Sequence, residues 1–187
     1  EQDAIRLKVA AEAEKLAGEM MGNPALLMPY QPFCDLRLTF DHAGEVTNYR
    51  RGLSLDEAIA DVAYTTGGVR FKREIFVSYP DQVIVLRLTA DRPGSHNLTI
   101  GLDTPQEGGR FTFVDRTTLH LNGRIGPRQN PRNSWVGSWE APGLEYSATV
   151  YPVVEGGQAL PDGNRLRIEG ADAVTLMFSG ATSFRNY

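Results

Sequence analysis

Several kinds of residue are scarce in this sequence, and each shortage argues against a class of protein. The 187 residues include 1 cysteine, Cys34, so no internal disulfide can form. No apolar stretch approaches the roughly 18 to 20 residues that a helix needs to cross a bilayer. The 19 Lys and Arg are scattered rather than clustered, and the formal net charge is −4. This charge pattern argues against nucleic acid or an anionic membrane as the main partner.

Chemically active side chains are also few. His42 and His96 lie in or near predicted turns and His120 lies in a predicted strand, with no spacing that resembles a zinc site. We interpret the three histidines as structural or solvated groups. Cys34 lies just before an apolar strand with no base beside it, which favours a buried, unreactive thiol over a nucleophile. No nucleophile elbow or phosphate-binding motif occurs, so we predict no catalytic residue and no metal ligand in this segment.

What the sequence does contain is a pattern of short β-strands. Hydrophobic residues make up 41% and charged residues 22%, the composition of an ordinary globular domain. Leu36, Leu38 and Phe40 alternate with polar residues, the two-residue period of a half-buried strand. Residues 58–77 form two further alternating runs around a glycine-containing turn, and residues 83–88 are mostly apolar. These runs predict consecutive antiparallel hairpins.

The β pattern persists downstream. Further segments with strand character are residues 97–102, 111–114, 117–121, 145–150, 165–168 and 173–178. Turns rich in glycine and proline separate them. About ten short strands with regularly spaced turns predict an all-β fold, an antiparallel β-sandwich (or supersandwich), rather than an α/β fold.

A single helix is predicted ahead of the strands. Its apolar residues recur at spacings of three and four and form one stripe: Ile5, Val9, Ala13, Leu16 and Met20. Gly22-Asn23-Pro24 ends it, since glycine suits the position after a helix and proline cannot continue one. We therefore assign residues 1–22 to an amphipathic helix and residues 23–187 to the sandwich. The stripe is expected to pack on or beside the sandwich, and a membrane-binding or partner-binding face is the alternative.

Residues 123–143 interrupt the strand pattern. This segment has three prolines and two tryptophans, Trp135 and Trp139, and no strand period. Loops of this length are uncommon in compact domains and are often functional. The two tryptophans can present flat apolar faces to a sugar ring or to a neighbouring domain, and they are the candidates for substrate binding. The alternative is that they anchor the loop on the sandwich.

Three charged residues near the predicted hairpins suggest a structural contact. Asp35 opens a strand, and Arg50 and Arg51 follow a tyrosine. We predict that they form a buried ionic network with a structural role. Arg73 is also unusual, because it falls on the apolar face of its predicted strand.

Several longer motifs occur in a defined order. They are MGNP (21–24), PYQPFCDL (29–36), YRRGLSL (49–55), AIADVAY (58–64), REIFVS (73–78), PDQVIVLRL (80–88) and ATSFRNY (181–187). In this order they resemble the N-terminal β-sandwich of glycoside hydrolase family 95, the inverting α-L-fucosidases. The resemblance covers nearly the whole chain and is densest from residue 21 to residue 90. Cys34 and Gly52 depart from the glycine and the acidic or polar residue that are usual there.

The resemblance also shows what this chain lacks. Family members begin with strands that carry a G-N-G-x-L-G-A-M motif, and they continue into an (α/α)6 barrel. That barrel holds the catalytic acid and the base, which an asparagine and an aspartate assist, and none of these residues maps onto this sequence. We therefore expect the chain to be part of a longer enzyme.

For the parent protein, the resemblance implies hydrolysis of terminal α-linked L-fucose, or L-galactose, from fucosylated oligosaccharides or polysaccharides. Hydrolysis with inversion uses an acid and a base about 6.5 to 9.5 Å apart. It requires no metal and no organic cofactor. The sandwich is expected to pack on the catalytic barrel of the same chain, and a periplasmic or secreted location is favoured.

Two other functions remain open. One is a stand-alone carbohydrate-binding module, which would use the loop with Trp135 and Trp139; the other is a purely structural or interaction sandwich. If the fucosidase interpretation holds, the segment alone is expected to be inactive on an aryl α-L-fucoside. It is also expected to expose an apolar patch and an open sheet edge, and to self-associate.

Overall fold

The structure is a computed structural model that describes residues 2–20, 32–125 and 143–185. The chain divides into two compact units, one with the helix and the other with the strands. The helix, α1, spans Gln2–Met20, so the predicted helix ahead of the strands is confirmed. It is not apolar enough to cross a membrane. Its packing on the sandwich and the predicted domain division after residue 22 stay predictions.

The second unit contains twelve described β-strands. They are β1 (Asp35–Phe40), β2 (Thr47–Ser54), β3 (Ile59–Thr66), β4 (Val69–Ser78), β5 (Val83–Ala90), β6 (His96–Asp103), β7 (Arg110–Phe113), β8 (Leu119–Arg124), β9 (Glu145–Glu155), β10 (Gln158–Asp162), β11 (Arg165–Ala171) and β12 (Ala173–Thr182).

These strands form two antiparallel sheets. The small sheet has the order β1-β6-β11-β10, and the large sheet has the order β2-β3-β4-β5-β12-β9-β8-β7. The hairpins β3–β4 and β4–β5 confirm part of the predicted series, whereas β1, its first run, pairs with β6 in the small sheet. Gly67 and Gly68 form the turn between β3 and β4 with φ angles of 56° and 72°, a conformation that favours glycine. The predicted all-β antiparallel sandwich is thereby confirmed.

The hydrophobic core lies between the two sheets. Leu98 and Ile100 of β6 meet Leu88, Val150 and Leu176 of the large sheet, and all five side chains are fully buried. Each inward side chain alternates with an outward one along its strand. Truncation of one such leucine to alanine typically costs about 2 to 5 kcal/mol of stability, because a cavity remains.

Two strands, β2 and β10, were not predicted. The register of β2 shifts between Thr47 and Arg50, and most of the strand is exposed, so its sequence shows no clean alternation. β10 contains Pro161, which suggests a turn in the sequence. As an edge strand, β10 accommodates proline because one side of its backbone has no neighbouring strand.

Candidate functional site

A broad hollow of about 910 Å³ lies at the β7 end of the large sheet. Leu121 and Ala148 face the core, so their neighbours Asn122 and Ser147 face outward into the hollow. The other described lining residues are Gly108, Arg110, His120, Gly123, Arg124, Glu145, Tyr146, Ala181, Thr182 and Ser183. The hollow therefore presents hydroxyl, amide, imidazole and charged groups alongside apolar surface.

Contacts between adjacent strands hold these polar groups in place. The Nδ1 atom of His120 lies 3.0 Å from the hydroxyl oxygen of Thr149. Arg124 and Glu145 form an ion pair across β8 and β9, and both side chains are at least half exposed. Because solvent screens exposed pairs, this one contributes about 0 to 1 kcal/mol. The backbone N–H of Glu145 also donates to the hydroxyl of Ser183 at 3.0 Å.

Carboxylates are scarce in the hollow. Glu145 is the only carboxylate among its described lining residues, and Arg124 is already its partner. Inverting hydrolysis needs two acidic groups, about 6.5 to 9.5 Å apart, on either side of the glycosidic bond. The described part of the hollow can therefore exchange hydrogen bonds with sugar hydroxyls, but it contains no acid–base pair.

Tyr146 lies beneath the hollow and packs edge-to-face on Phe33, with ring centroids 5.7 Å apart. Its side chain is 3% exposed, and its hydroxyl has no hydrogen-bond partner among the described residues. A Cβ atom at Gly123 would overlap the end of the ring, and one at Gly109 would lie 3.2 Å from the hydroxyl oxygen. Glycine at these positions leaves room for the ring. Because Tyr146 is buried, it offers no open face for stacking on a sugar.

A second polar cluster lies near the end of β1. The Tyr64 hydroxyl is 2.6 Å from Nε2 of His42, and it accepts a hydrogen bond of 2.7 Å from the guanidinium of Arg73. That guanidinium also lies 3.9 Å from the centre of the Phe40 ring, a cation–π contact. Arg73 forms no ion pair with any residue that the structure describes. Within the described chain, a phenol and an aromatic ring therefore take the place of a carboxylate partner.

His42 belongs to the packing of this cluster. Its ring stacks on Phe40 with centroids 5.2 Å apart. Burial lowers the pKa of His42, the positive charge of Arg73 lowers it further, and the nearby Asp41 opposes the change. The imidazole is therefore mainly neutral at pH 7, and the position is structural, as predicted.

His96 is the most buried histidine, with 1% of its side chain exposed. Burial lowers its pKa most, His42 lowers it further, and the backbone of Thr89 opposes the change. Neither ring nitrogen makes a hydrogen bond of normal geometry with a described residue. Phe71 packs against this ring with centroids 5.5 Å apart. His96 thus serves as a neutral aromatic core residue.

Cys34 is half-buried. Burial, together with the negative charge of Asp35, raises the pKa of its thiol to about 11. The thiol is therefore protonated at neutral pH and is a weak nucleophile. This agrees with the unreactive thiol that the sequence suggests.

The predicted ionic network of Asp35, Arg50 and Arg51 is wrong. Asp35 is exposed and pairs with Arg37 at 3.4 Å. The two arginines lie exposed on β2 and form no ion pair within the described ranges. The reason is topological, because β1 is an edge of the small sheet whereas β2 is an edge of the large one.

The predicted substrate-binding candidates, Trp135 and Trp139, lie outside the described residues. Across residues 2–20, 32–125 and 143–185, no group of three His, Cys, Asp or Glu side chains is placed to hold a metal ion. The hollow itself was not predicted. Its residues come from several strands that are distant in sequence, and the outward positions of β8 and β9 indicate it only once the strand register is known.

Comparison with known proteins places this sandwich in a family. A family model described as "Glycosyl hydrolase family 65, N-terminal domain" matches residues 2–187. The chain belongs to this family. Its number differs from the family 95 expected from the motifs, but both indicate the N-terminal sandwich of a glycoside hydrolase.

Two curated relatives of this glycoside hydrolase domain are fucosidases by name. "Alpha-L-fucosidase 2" of Arabidopsis thaliana is 30% identical over 186 residues, covering 93% of this chain and 22% of that protein. "Probable alpha-fucosidase A" of Aspergillus niger is 27% identical over 169 residues, covering 88% of this chain and 20% of that protein. The chain thus spans about a fifth of each relative. These matches confirm the resemblance to the N-terminal domain of fucosidase-like enzymes.

Among solved structures, "Putative kojibiose phosphorylase from human microbiome" resembles this glycoside hydrolase domain with a TM-score of 0.48 and 7% sequence identity. The superposition covers 79% of this chain and 22% of that chain.

Proposed function

We propose that this chain is the non-catalytic N-terminal β-sandwich of an inverting glycoside hydrolase that acts on terminal α-linked L-fucose or L-galactose. The main support is the match of residues 2–187 to a glycoside hydrolase N-terminal domain, together with two relatives named as fucosidases. The matched region is 22% and 20% of those relatives, so most of each protein lies outside it. That remainder has room for a separate catalytic domain.

The contents of the hollow support a non-catalytic role. Its described part combines hydrogen-bonding groups with a single carboxylate, Glu145, which is paired with Arg124. Such a surface suits contact with a second domain or with sugar hydroxyls, but not proton transfer at both faces of a glycosidic bond. The partner is the catalytic barrel of the same polypeptide, and the substrate is a fucosylated oligosaccharide or polysaccharide.

Product stereochemistry in the full-length parent protein tests the proposed reaction. Incubation with p-nitrophenyl α-L-fucoside should release p-nitrophenol, whereas p-nitrophenyl β-L-fucoside should remain intact as the matched control. Proton NMR in the first minutes should show β-L-fucose before mutarotation, as inversion requires. Early α-L-fucose would contradict the inverting mechanism. If the protein hydrolysed neither the α-L-fucoside nor the α-L-galactoside, the proposed substrate class would be contradicted.

The same assay on residues 1–187 tests the non-catalytic role. No turnover is expected, whereas the full-length protein should be active. Glu145→Gln in the full-length protein should leave the pH profile of kcat unchanged, as should Glu57→Gln in an exposed turn. Turnover by the isolated segment that Glu145→Gln abolishes and Glu57→Gln preserves would show that the sandwich itself is catalytic.

The hollow also favours a second candidate function, carbohydrate binding without hydrolysis. Asn122, Ser147 and Arg110 supply the amide, hydroxyl and guanidinium groups that commonly bind sugar hydroxyls. Titration of the full-length protein with L-fucose, followed by NMR shifts of residues in the hollow, tests this candidate. Saturable shifts that weaken in Asn122→Ala but persist in Asn97→Ala would support it, and no shift at high sugar concentration would contradict it.

A further inference from the structure

Residues 41–46 connect the two sheets, because they carry the chain from β1 of the small sheet to β2 of the large one. Two side-chain contacts hold this loop against β3. The hydroxyl of Thr66 donates to the carbonyl of Ala43 at 3.1 Å, and Nε2 of His42 lies 2.6 Å from the hydroxyl oxygen of Tyr64. The contact between His42 and Tyr64 is therefore one of the described links between the loop and the large sheet.

The first residue of this loop belongs instead to the small sheet. The N–H of Asp41 donates to the carbonyl of Asn97 at 3.0 Å, and the carboxylate of Asp41 forms an ion pair with Arg167. The hydrogen bond from Arg167 lowers the pKa of Asp41, so this pair stays charged at mildly acidic pH. Residues 42–46 can therefore separate from β3 while Asp41 stays in place.

The hydrogen bonds around Tyr64 have one direction. A guanidinium has donors only, so the Tyr64 hydroxyl accepts the hydrogen bond of 2.7 Å from Arg73. Tyr64 is 4% exposed, and His42 is the other described hydrogen-bond partner of its hydroxyl. If His42 donated as well, the hydroxyl hydrogen would be buried among the described residues without an acceptor, which is unfavourable. The hydroxyl therefore donates to Nε2 of His42, and the chain of hydrogen bonds runs from Arg73 through Tyr64 to His42.

This direction fixes the protonation state of His42. Because Nε2 accepts a hydrogen bond, the neutral ring carries its hydrogen on Nδ1. A proton on Nε2 would convert this acceptor into a donor. The imidazolium and the guanidinium of Arg73 would then both donate to the one hydroxyl oxygen of Tyr64, and two like charges would lie close together. Protonation of His42 is therefore incompatible with the present chain of hydrogen bonds.

The surroundings of the His42 ring disfavour a positive charge on it. Phe40 and Phe71 pack on the ring with centroids 5.2 Å and 4.2 Å away, and the guanidinium of Arg73 already lies 3.9 Å from the centre of the Phe40 ring. Burial lowers the pKa of His42 most, and the charge of Arg73 lowers it further, whereas the charge of Asp41 raises it. The neutral ring is therefore the form that this packing favours.

The remaining described titratable groups of the cluster do not reverse this preference. Arg167 pairs with Glu169 of β11 at 3.5 Å and also neutralises Asp41. A charge on His42 and a charge on His96 of β6 disfavour each other. Among the described groups, Asp41 is thus the anion that favours charged His42, and Arg167 already shares its carboxylate.

We propose that the chain of hydrogen bonds from Arg73 through Tyr64 to His42 is an acid-sensitive connection between the two sheets. It holds residues 42–46 against β3 while Nε2 of His42 carries no proton. When that atom binds a proton, the His42 side chain leaves Tyr64 and the loop separates from the large sheet, while Asp41 remains on the small sheet. The connection is complete above the pKa of His42 in the folded protein, and it is lost as the pH falls through that pKa.

The pKa of His42 in the full-length protein tests the direction of the hydrogen bonds. Exchange of the Cε1 hydrogen of histidine for deuterium, followed by mass spectrometry of peptides, measures this pKa. Tyr64→Phe should raise it by roughly half a pH unit or more, because the neutral ring loses the hydrogen bond that it accepts. If His42 donated to Tyr64 instead, the same change would lower the pKa. Tyr79→Phe is the matched control, because Tyr79 is 83% exposed, and it should leave the pKa unchanged.

Papain digestion of the full-length protein, with mass spectrometry of the products, tests whether the loop opens. At about one pH unit below the measured pKa of His42, cleavage within residues 42–46 should be at least about fivefold faster in the wild type than in His42→Gln. Glutamine keeps an oxygen that accepts from Tyr64, but it binds no proton in this pH range. At about one pH unit above the pKa, the two proteins should be cleaved equally fast. His96→Phe should be cleaved as the wild type is at both pH values, since His42 is the group that responds.

Each outcome decides the proposal. A pKa of His42 that falls or stays the same in Tyr64→Phe would overturn it, because the hydrogen bonds would not run towards Nε2. Equal cleavage of the wild type and His42→Gln below the pKa would overturn it too, as would slow cleavage of His96→Phe at that pH. The comparison of the wild type with His42→Gln does not require Tyr64→Phe to fold. Neither measurement depends on the reaction proposed for the parent protein.

Discussion

The hydroxyl of Tyr64 lies 2.6 Å from Nε2 of His42 and also accepts a hydrogen bond from Arg73. One buried phenol thus connects the loop after β1, which belongs to the small sheet, with β3 and β4 of the large sheet. No described carboxylate pairs with this arginine. At this end of the sandwich, the neutral hydroxyl of Tyr64 is therefore the hydrogen-bond acceptor for the guanidinium of Arg73.

Tyr64→Phe should destabilise the protein by about 1 to 3 kcal/mol, because the change leaves a partly buried charged donor of Arg73 without its acceptor. Urea unfolding should show a lower midpoint with an unchanged slope. Tyr79→Phe is the matched control, since Tyr79 is 83% exposed, and it should leave the midpoint unchanged. Equal midpoints for Tyr64→Phe and the wild type would mean that the network adds no stability.

Stability should fall as the pH is lowered below about 6.5, because burial lowers the pKa of His96 in the folded state. As the pH falls, His96 binds a proton in the unfolded chain before it does so in the folded protein. The stability contributed by neutral His96 is therefore complete above the pKa of the unfolded state, and it is lost as the pH falls towards the pKa of the folded state. The pKa of His42 is lowered too and adds in the same direction. His96→Phe should reduce the slope of unfolding free energy against pH by up to about 1.4 kcal/mol per pH unit.

Ile100→Val is the control for this pH effect. It removes one methylene from the same strand without changing a titratable group, and it should cost about 0.5 to 1.5 kcal/mol at every pH. Thermal or urea unfolding between pH 5 and pH 8 gives both slopes. If His96→Phe keeps the wild-type slope, His96 is not the source of acid sensitivity.

Gly123→Ala should destabilise the sandwich, because the new Cβ would overlap the ring of Tyr146. We expect a loss of about 1 to 3 kcal/mol, with the buried ring or the strand displaced. The double variant Gly123→Ala with Tyr146→Leu removes the overlapping atoms. It should therefore lose less stability than the sum of the two single variants, as a double-mutant cycle would show. If the losses of stability in the two single variants simply added in the double variant, overlap with Tyr146 would not be the cause of the destabilisation by Gly123→Ala.

Alkylation of Cys34 should be slow in the folded protein, because burial raises the pKa of its thiol to about 11. At pH 8 we expect the reaction with iodoacetamide to be at least roughly tenfold slower than in the urea-unfolded chain, since the thiolate is the reacting form. The unfolded protein with the same reagent is the internal control. Equal rates in the two states would show that the thiol is reactive.

Much of the strand pattern was predictable because strand alternation is a local property. Leu36, Leu38 and Phe40 show the two-residue period, and residues 35–40 form β1. The hairpins from β3 to β5 were predictable as well, since consecutive hairpins need only short turns. The ordered motifs indicated the N-terminal sandwich of a glycoside hydrolase, and the family match agrees.

Contacts between distant segments were not predictable in the same way. The last strand, β12, lies between β5 and β9 in the large sheet, and β1 pairs with β6 in the small one. The prediction that Asp35 pairs with Arg50 and Arg51 was wrong for the same reason. These residues are close in sequence, but β1 and β2 belong to different sheets. The edge strand β2 was missed because exposed residues carry little alternation.

The sequence by itself thus determined the fold class, the positions of most strands and the family, all of which depend on local periodicity or on motif order. Only the tertiary structure decided the strand order, the hollow at the β7 end of the large sheet and the environment of Arg73. These depend on which strands pair and on how much of one sheet the other covers. Burial and strand pairing are long-range quantities, and a two-residue period does not specify them.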